Sequence, residues 1–464
     1  MKATALLRAL VLTLLGSLLV ACTSLPNVKN LSATLASNTV PSVRNGQGAL
    51  SEQSTSALLR KRWANSTLDL KTQASLEEAA TGMPLIAGNK VTLLFDGPQT
   101  MEQMLTAIGA ATNHINLETY IFDQDEMGLK FADMLIEKQH QGIAVSIMYD
   151  SVGTLAVPQE FFDRMRSAGI KLIAFNPVNP AKVRGDSWRL NNRDHRKVLI
   201  VDGKIAFTGG VNISDTYAKS SLFRSRGRQR ATGDSEVGWR DTHVMVEGPA
   251  VAAFQWMFIK AWTGQDADDL PDGRFFPPLA RVGDKLVRVI ASEPGGDFEI
   301  YKAYILAMQG AKQSIYLTSA YFVPDHQTIA ALTDAAKRGV DVKLVLPGVS
   351  DSSLAFHASH AFYDTLLEGG VRIYQLKLSV LHAKTAVIDG NWSTVGSTNI
   401  DMRSFMHNSE LNLVVLGEAF GDDMENAFAE DLHDSIEITQ QQWRQRPLGD
   451  RIKEWAARFV GYWL

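Results

Sequence analysis

Two histidine–lysine pairs carry the strongest chemical signal in this chain of 464 residues. His195 and Lys197 open the string HRKVLIVDGKIAFTGGVN (195–212). His382 and Lys384 open HAKTAVIDGNWSTVGSTN (382–399). Both read His-x-Lys-x4-Asp-Gly, continue to Gly-Gly or Gly-Ser, and end x-Asn, with every spacing kept over a separation of 187 residues. We read them as two halves of one active site. Imidazole is a nucleophile near neutral pH, and a second imidazole protonates a leaving alkoxide and then activates the acceptor. Lys197 and Lys384 supply fixed positive charge, and Asn212 and Asn399 supply N–H donors for phosphoryl oxygens. Beside them Gly210 and Ser397 let a phosphate approach the backbone. The set suits a phosphodiester and calls for no metal and no cofactor. A flanking lysine repels a cation, and no cluster of His, Asp or Glu stands at ligand spacing. The glycine pairs form no P-loop, since no G-x4-G-K-[ST] string is present.

The elements that must position these groups are strands. If His195-x-Lys197 lies on a strand, imidazole and ammonium project from the same face. Asp202-Gly203 and Asp389-Gly390 are hairpin signals, so these aspartates read as turn residues rather than catalytic partners. Better partners for the histidines are Asp241, in WRDTHVMVEG, and Glu410, in NSELNLVVLG. Each precedes a strand and lies seven residues before a glycine. Glu118 either reaches the site or ends a ladder. Arg403 and Ser404 either line the pocket or cap a helix. The other eight histidines read as structural.

Around the first motif, strands are predicted at 90–95, 114–122 and 144–149, with helices at 99–112 and 127–141. Around the second, strands fall at 286–290, 314–323, 342–346 and 371–374, with helices at 300–310 and 327–339. The matched alternation predicts an α/β fold of two similar domains, 82–265 and 284–440, joined near 266–283. Residues 22–80, rich in Ser, Thr, Asn and Ala, read as a flexible tether with one short helix near 56–63. Residues 443–464 read as an amphipathic helix. Ile452, Trp455, Phe459 and Tyr462 fall at helical spacing, suited either to a membrane interface or to docking on the core.

Residues 1–21 carry Lys2, Arg8 and an apolar run too short to be a comfortable span. The run ends Leu19-Val20-Ala21-Cys22 and resembles a bacterial lipobox; Cys22 is the only cysteine. The resemblance implies a signal peptide over 1–21, a lipid on Cys22, and a body tethered in the cell envelope outside the cytoplasm, with Thr23 suiting an outer-membrane address. Removing 1–21 takes two bases and no acid, so the formal charge goes from −4 to −6. That acidity counts against a nucleic-acid partner.

The doubled motif resembles the phospholipase D superfamily. RDHRKVLIVDGKIAFTGGVNIS (193–214), WRDTHVMVEGPAV (239–251), AYFVPDHQTIAALTDAAKRGVDVKLVLPG (320–348) and LHAKTAVIDGNWSTVGSTNIDMRSF (381–405) are similar to bacterial cardiolipin synthases of that type, over residues 82–440. The resemblance implies two mixed β-sheets flanked by helices with one active site at their interface, and a phosphatidyl-histidine intermediate. One phosphatidylglycerol would donate its phosphatidyl group and a second accept it. His195 is taken as nucleophile and His382 as acid then base, with the roles exchangeable. Hydrolysis by a phospholipase D uses the same intermediate, and nucleic-acid phosphodiesterases share the motif. The lipobox stands where such synthases carry membrane helices. Replacing Cys22 by Ser is expected to release the protein from isolated membranes; full retention would move the anchor to the C-terminal segment.

Overall fold

The computed structural model describes residues 24–35, 40–64, 66, 69–179, 189–218, 238–265 and 269–458. Residues 1–21, Cys22, a basic run at 224–230 (RSRGRQR), and Phe459, Tyr462 and Trp463 lie outside them. The first half contains strands β1 (Leu85–Leu94), β2 (His114–Thr119), β3 (Ala144–Asp150), β4 (Lys171–Phe175), β5 (Arg193–Asp194), β6 (Val198–Val201), β7 (Ile205–Gly209), β8 (Trp239–Arg240) and β9 (His243–Glu247). In its sheet β4, β3 and β2 run parallel, and β6, β7, β9 and β1 continue antiparallel. The second half contains β10 (Lys285–Ser292), β11 (Ser314–Ser319), β12 (Asp341–Pro347), β13 (Arg372–Leu376), β14 (Val380–Leu381), β15 (Lys384–Ile388), β16 (Trp392–Gly396) and β17 (Asn408–Leu416). Its order is the same: β13, β12 and β11 parallel, then β15, β16, β17 and β10 antiparallel. β1 and β10 pair with each other and join the two sheets.

Helices α1 (Glu52–Arg62) and α2 (Leu70–Thr81) precede the first sheet, and α3 (Gly97–Gly109) and α4 (Glu126–His140) cover its outer face. There Phe131 and Leu135 pack on Ile115 and Leu117. Helix α5 (Val251–Thr263) belongs to the inner side, where Phe254 and Phe258 share one core with Val198 and Val244 of the first half and Val387, Val395 and Leu413 of the second. Because strands β6 and β15, which follow the histidines, are anchored in this common core, the two motifs are held against each other. Helices α6 (Glu299–Gly310) and α7 (His326–Lys337) cover the second sheet.

The tether expected over residues 22–80 is corrected. Val28, Val43, Leu59 and Ala74 are buried in the second half's core. Helix α2 buries Leu70, Ala74, Glu77 and Thr81, a stripe at helical spacing, and packs on α6. Only two members of the stripe are apolar, so periodicity did not disclose it. Its charged member is neutralised in place: Glu77 forms an ion pair with Arg288 and accepts from Trp392 Nε1 at 2.5 Å. The strand expected from residue 90 begins at Leu85, where its first residues pair with Val43 and Arg44. The C-terminal helix is also divided. A turn of helix at Gln440–Arg444 buries Trp443, and after Pro447 a second helix covers Leu448–Arg458.

Both hairpins form as expected. Asp202 and Gly203 have φ of 55° and 61°, and Asp389 and Gly390 have 53° and 61°, the left-handed pair of a type I′ turn. The aspartates have a second task. Asp202 Oδ1 accepts from the N–H groups of Asn113 (2.7 Å) and His114 (3.0 Å), and Oδ2 from the Thr112 hydroxyl (2.7 Å). Asp389 accepts likewise from the N–H groups of Lys312, Gln313 and Ser314, at 2.6–2.8 Å. Each carboxylate thus ties its hairpin to the start of the neighbouring strand, β2 or β11, which runs antiparallel to it. Burial alone raises the Asp202 carboxyl, but the Thr112 hydroxyl and the N–H groups of Thr112, Asn113 and His114 outweigh it and hold it below the usual carboxylate range. A carboxyl depressed in the folded state contributes stability above its unfolded pKa and loses it as pH falls through the folded value. Asp202→Ala is therefore expected to cost about 2–4 kcal/mol near neutral pH. The gap between the melting temperatures of variant and parent should narrow in acid; a gap independent of pH contradicts this role.

Candidate active site

Two ladders of two residues each cross between the halves. β5 pairs parallel with the start of β17, Arg193 with Asn408 and Asp194 with Ser409. β8 pairs parallel with β14, Trp239 with Val380 and Arg240 with Leu381. Each ladder joins the residues before one half's histidine to those before the other half's carboxylate. The hydrogen bonding runs one step further: His195 N–H donates to the Ser409 carbonyl at 2.9 Å, and His382 N–H to the Arg240 carbonyl at 2.7 Å. Residues abreast in parallel register project to the same side, so each histidine comes to lie beside the carboxylate of the opposite half. His195 Nδ1 is 3.1 Å from both oxygens of Glu410, and His382 Nδ1 is 2.7 Å from Asp241 Oδ2. With Nδ1–H given to the carboxylate, each ring keeps Nε2 as its free lone pair.

The strand expected at His195 begins only at Val198, because the His195 backbone is engaged in the cross-half ladder; in the second half it begins at Lys384. Lys197 and Lys384 do not simply project beside their histidines. Lys197 Nζ donates to the His195 carbonyl at 2.5 Å, and Lys384 Nζ to the His382 carbonyl. Both are buried, and burial pulls Lys197 down to about 7 and Lys384 to about 8 against the attraction of Glu410 and Asp241. Burial, reinforced by the lysines, also lowers both histidines. The carboxylates differ. Burial pushes Asp241 up to about 6. For Glu410 the same burial is outweighed by His195, Lys197 and Ser397, and its pKa falls below the usual value.

The phosphate-binding role expected for Gly210 and Ser397 is corrected. Ser397 Oγ donates to Glu410 Oε2 and accepts from the Leu411 N–H at 3.0 Å. At Gly210 a Cβ would stand 2.1 Å from Asp241 Oδ1. Both residues serve the carboxylates, one by donating to Glu410 and the other by leaving room for Asp241. Asn212 and Asn399 line the pocket. Their amide oxygens accept the N–H of Ile121 (3.0 Å) and Tyr321 (3.4 Å), and Asn212 Nδ2 donates to Tyr217 Oη at 2.8 Å.

The pocket between the motifs encloses about 420 Å³ and opens over His195 and His382. Arg403 and Ser404 line it, while the short helix that contains them is capped by Asp401, whose carboxylate accepts the Ser404 N–H at 2.7 Å. Glu118 does not line it. It pairs with Arg196 at 2.8 Å, and Asp194 holds the same guanidinium at 2.9 Å. Sequence reasoning missed the aromatic collar. Tyr120 meets His195 edge-on with centroids 5.2 Å apart, and Tyr217 and Trp239 lie 5.6 and 4.9 Å from the His382 ring. Tyr120 and Tyr321 follow the ends of the corresponding strands β2 and β11, a position where pocket residues gather in parallel sheets.

The chain matches the family described as "Cardiolipin synthase, PLD-like domain" twice, over residues 104–222 and 304–432. It is 34% identical over 380 residues to a cardiolipin synthase of Geobacillus kaustophilus, covering 81% of this chain and 73% of that protein. To cardiolipin synthase 1 of Staphylococcus aureus it is 36% identical over 381 residues, covering 81% and 74%. Among solved structures it is similar to phosphatidylserine synthase of Haemophilus influenzae, with a TM-score of 0.64 at 13% identity, covering 84% of this chain and 99% of that one, a likeness of fold. The repeated sheet, the paired motifs and these relatives place the chain in the cardiolipin synthase family with phospholipase D-like domains.

Proposed function

We propose that the protein is a phosphatidyltransferase that condenses two phosphatidylglycerols into cardiolipin and glycerol through a phosphohistidine. The carrying observation is the pair of buried imidazoles, each with Nδ1 held by a carboxylate and Nε2 left for the pocket. His195 is the nucleophile. Its partner Glu410 stays ionised across the working pH range and stabilises the cation that forms when Nε2 bonds to phosphorus. As that bond forms, the bond from phosphorus to the glycerol oxygen breaks, and protonated His382 gives its proton to the departing alkoxide. Neutral His382 then takes the proton of a hydroxyl of the second phosphatidylglycerol. That oxygen attacks phosphorus, the P–N bond breaks and His195 is regenerated. Lys197, Lys384 and the amides of Asn212 and Asn399 stabilise the non-bridging oxygens. Entry of the phosphodiester anion offsets the lysines' field and makes the acid imidazole easier to protonate.

A lipid on Cys22, placing this site at the surface of a bacterial envelope membrane, fits the same reading and is part of the proposal. The direct test is incubation of the purified protein with phosphatidylglycerol and separation of the products. Cardiolipin and glycerol are expected, with or without EDTA; phosphatidic acid alone contradicts transfer. His195→Ala and His382→Ala should abolish turnover. Glu410→Gln and Asp241→Asn should lower kcat by about 10²–10⁴ in the folded protein. The free enzyme should lose kcat/KM as pH rises through 7 to 8, where Lys197 and Lys384 lose their charge. The alkaline limb of kcat should lie higher, because bound phosphodiester holds the ammonium groups protonated. Coincident limbs in the two profiles contradict a phosphate held by these lysines.

A further inference from the structure

Two helices of the second half lie against each other near the pocket: α8 (Ser353–His360) and α9 (Leu448–Arg458). In this contact α9 buries Glu454 and Ala457. The first turn of α8, with Ser352 and Ala355, lines the active-site pocket. The face of α9 turned away from α8 carries Leu448, Ile452 and Trp455, at i, i+4 and i+7, which are 71%, 59% and 64% exposed. Isolated apolar residues on a surface need no explanation, but here further leucines are exposed close in the chain to pocket-lining residues. Leu354 stands between the lining residues Ser352 and Ala355, and Leu378 lies four residues before His382. Leu155 is 69% exposed in the loop after β3, where Gly153 packs on the carbonyl of the lining residue Tyr120.

Beside this apolar face is a cavity of about 320 Å³ lined by Arg444, Arg446, Arg451 and Arg458, by the carboxylates Asp364 and Glu454, and by Trp455. Arg446 is neutralised by Asp364 and Glu454, each at 2.8 Å, and Arg444 pairs with Glu368 at 3.2 Å. Arg451 donates to the Arg444 carbonyl and Arg458 stands over the Phe362 ring, but neither has a carboxylate partner among the described residues. Four guanidinium groups against two carboxylates in this lining, next to an exposed Trp in a chain of net charge −4, form a local positive site of the kind that suits a lipid phosphate. The substrate imposes a matching demand. A pocket of about 420 Å³ takes the reacting headgroups, while the acyl chains of two phospholipids stay outside it in an apolar phase.

We propose that the outer face of α9 and the adjoining pocket rim dock on an anionic phospholipid bilayer, with Leu448, Ile452 and Trp455 at the headgroup–acyl boundary and Arg451 and Arg458 on lipid phosphates. This rests on the phosphatidylglycerol reading above and adds the surface by which the pocket meets its substrate. The test uses the full chain carrying Cys22→Ser, so that no lipid on the protein holds it to vesicles. Flotation with phosphatidylcholine vesicles, with and without phosphatidylglycerol, is compared with turnover of monomeric dihexanoyl-phosphatidylglycerol. The triple variant Leu448→Ser, Ile452→Ser, Trp455→Ser is expected to weaken vesicle binding about tenfold or more and to slow turnover of bilayer substrate. Its turnover of the monomeric lipid should be unchanged. Arg451→Gln with Arg458→Gln should weaken binding only to vesicles containing phosphatidylglycerol. Vesicle binding unchanged in both variants overturns the proposal, as does an equal loss of turnover on monomeric and bilayer substrate. A parent protein inactive on the monomeric lipid, but with the expected binding losses, contradicts the phosphatidylglycerol reading and leaves the docking face standing.

Discussion

The site depends on the register of two parallel ladders, Arg193–Asp194 on Asn408–Ser409 and Trp239–Arg240 on Val380–Leu381. A slip of one residue in either would turn a histidine to the wrong side of its strand and separate it from its carboxylate. Neither half has a complete acid–base group by itself. The imidazole comes from one half and its orienting carboxylate from the other, so the catalytic unit exists only when the sheets meet. The shared core of Val198, Val244, Val387 and Leu413 and the β1–β10 pairing hold that meeting rigid.

Such an arrangement puts charge where it is costly. Lys197, Lys384, Asp241 and Glu410 are buried together, and an unpaired ion there would be strongly destabilising. The attraction of Glu410 and Asp241 offsets this in part, and burial still leaves the lysines near the edge of deprotonation. The duplication is also incomplete in a functional way. Arg193, Asp194 and Arg196 before and after His195, held by Asp150 and Glu118, stand where the second half has Val380, Leu381 and Ala383, the last two in an apolar cluster. Ser397 donates to Glu410, whereas Gly210 donates nothing to Asp241. These differences give two histidines of the same motif different surroundings.

Much of this was legible in the sequence because the relevant signals are local. The Asp-Gly turns, the alternation of strand and helix, and the doubled spacing each depend on a few neighbouring residues, and the strands and helices formed within a few residues of where they were expected. Asp241 and Glu410 were found by their equivalent places in the repeat. Their crossing was not, because strands of two residues have no periodicity and their partners lie more than a hundred residues away in the chain. Helix α2 was missed for a related reason: Glu77 reads as a solvated charge until Arg288 is known to face it. Gly210 and Ser397 were assigned to phosphate because small residues near an asparagine suit both a ligand and a buried carboxylate, and only the packing separates the two.

The exchange of carboxylates between halves is tested most directly by the Nδ1–H signals of the two histidines in a protein labelled with ¹⁵N at histidine. The signals are assigned through His195→Gln and His382→Gln. Glu410→Gln should shift the Nδ1–H signal of His195 and leave that of His382 in place, and Asp241→Asn should do the reverse. If Asp241→Asn instead moves His195 while His382 is undisturbed, each half orients its own histidine and the carboxylates are not exchanged.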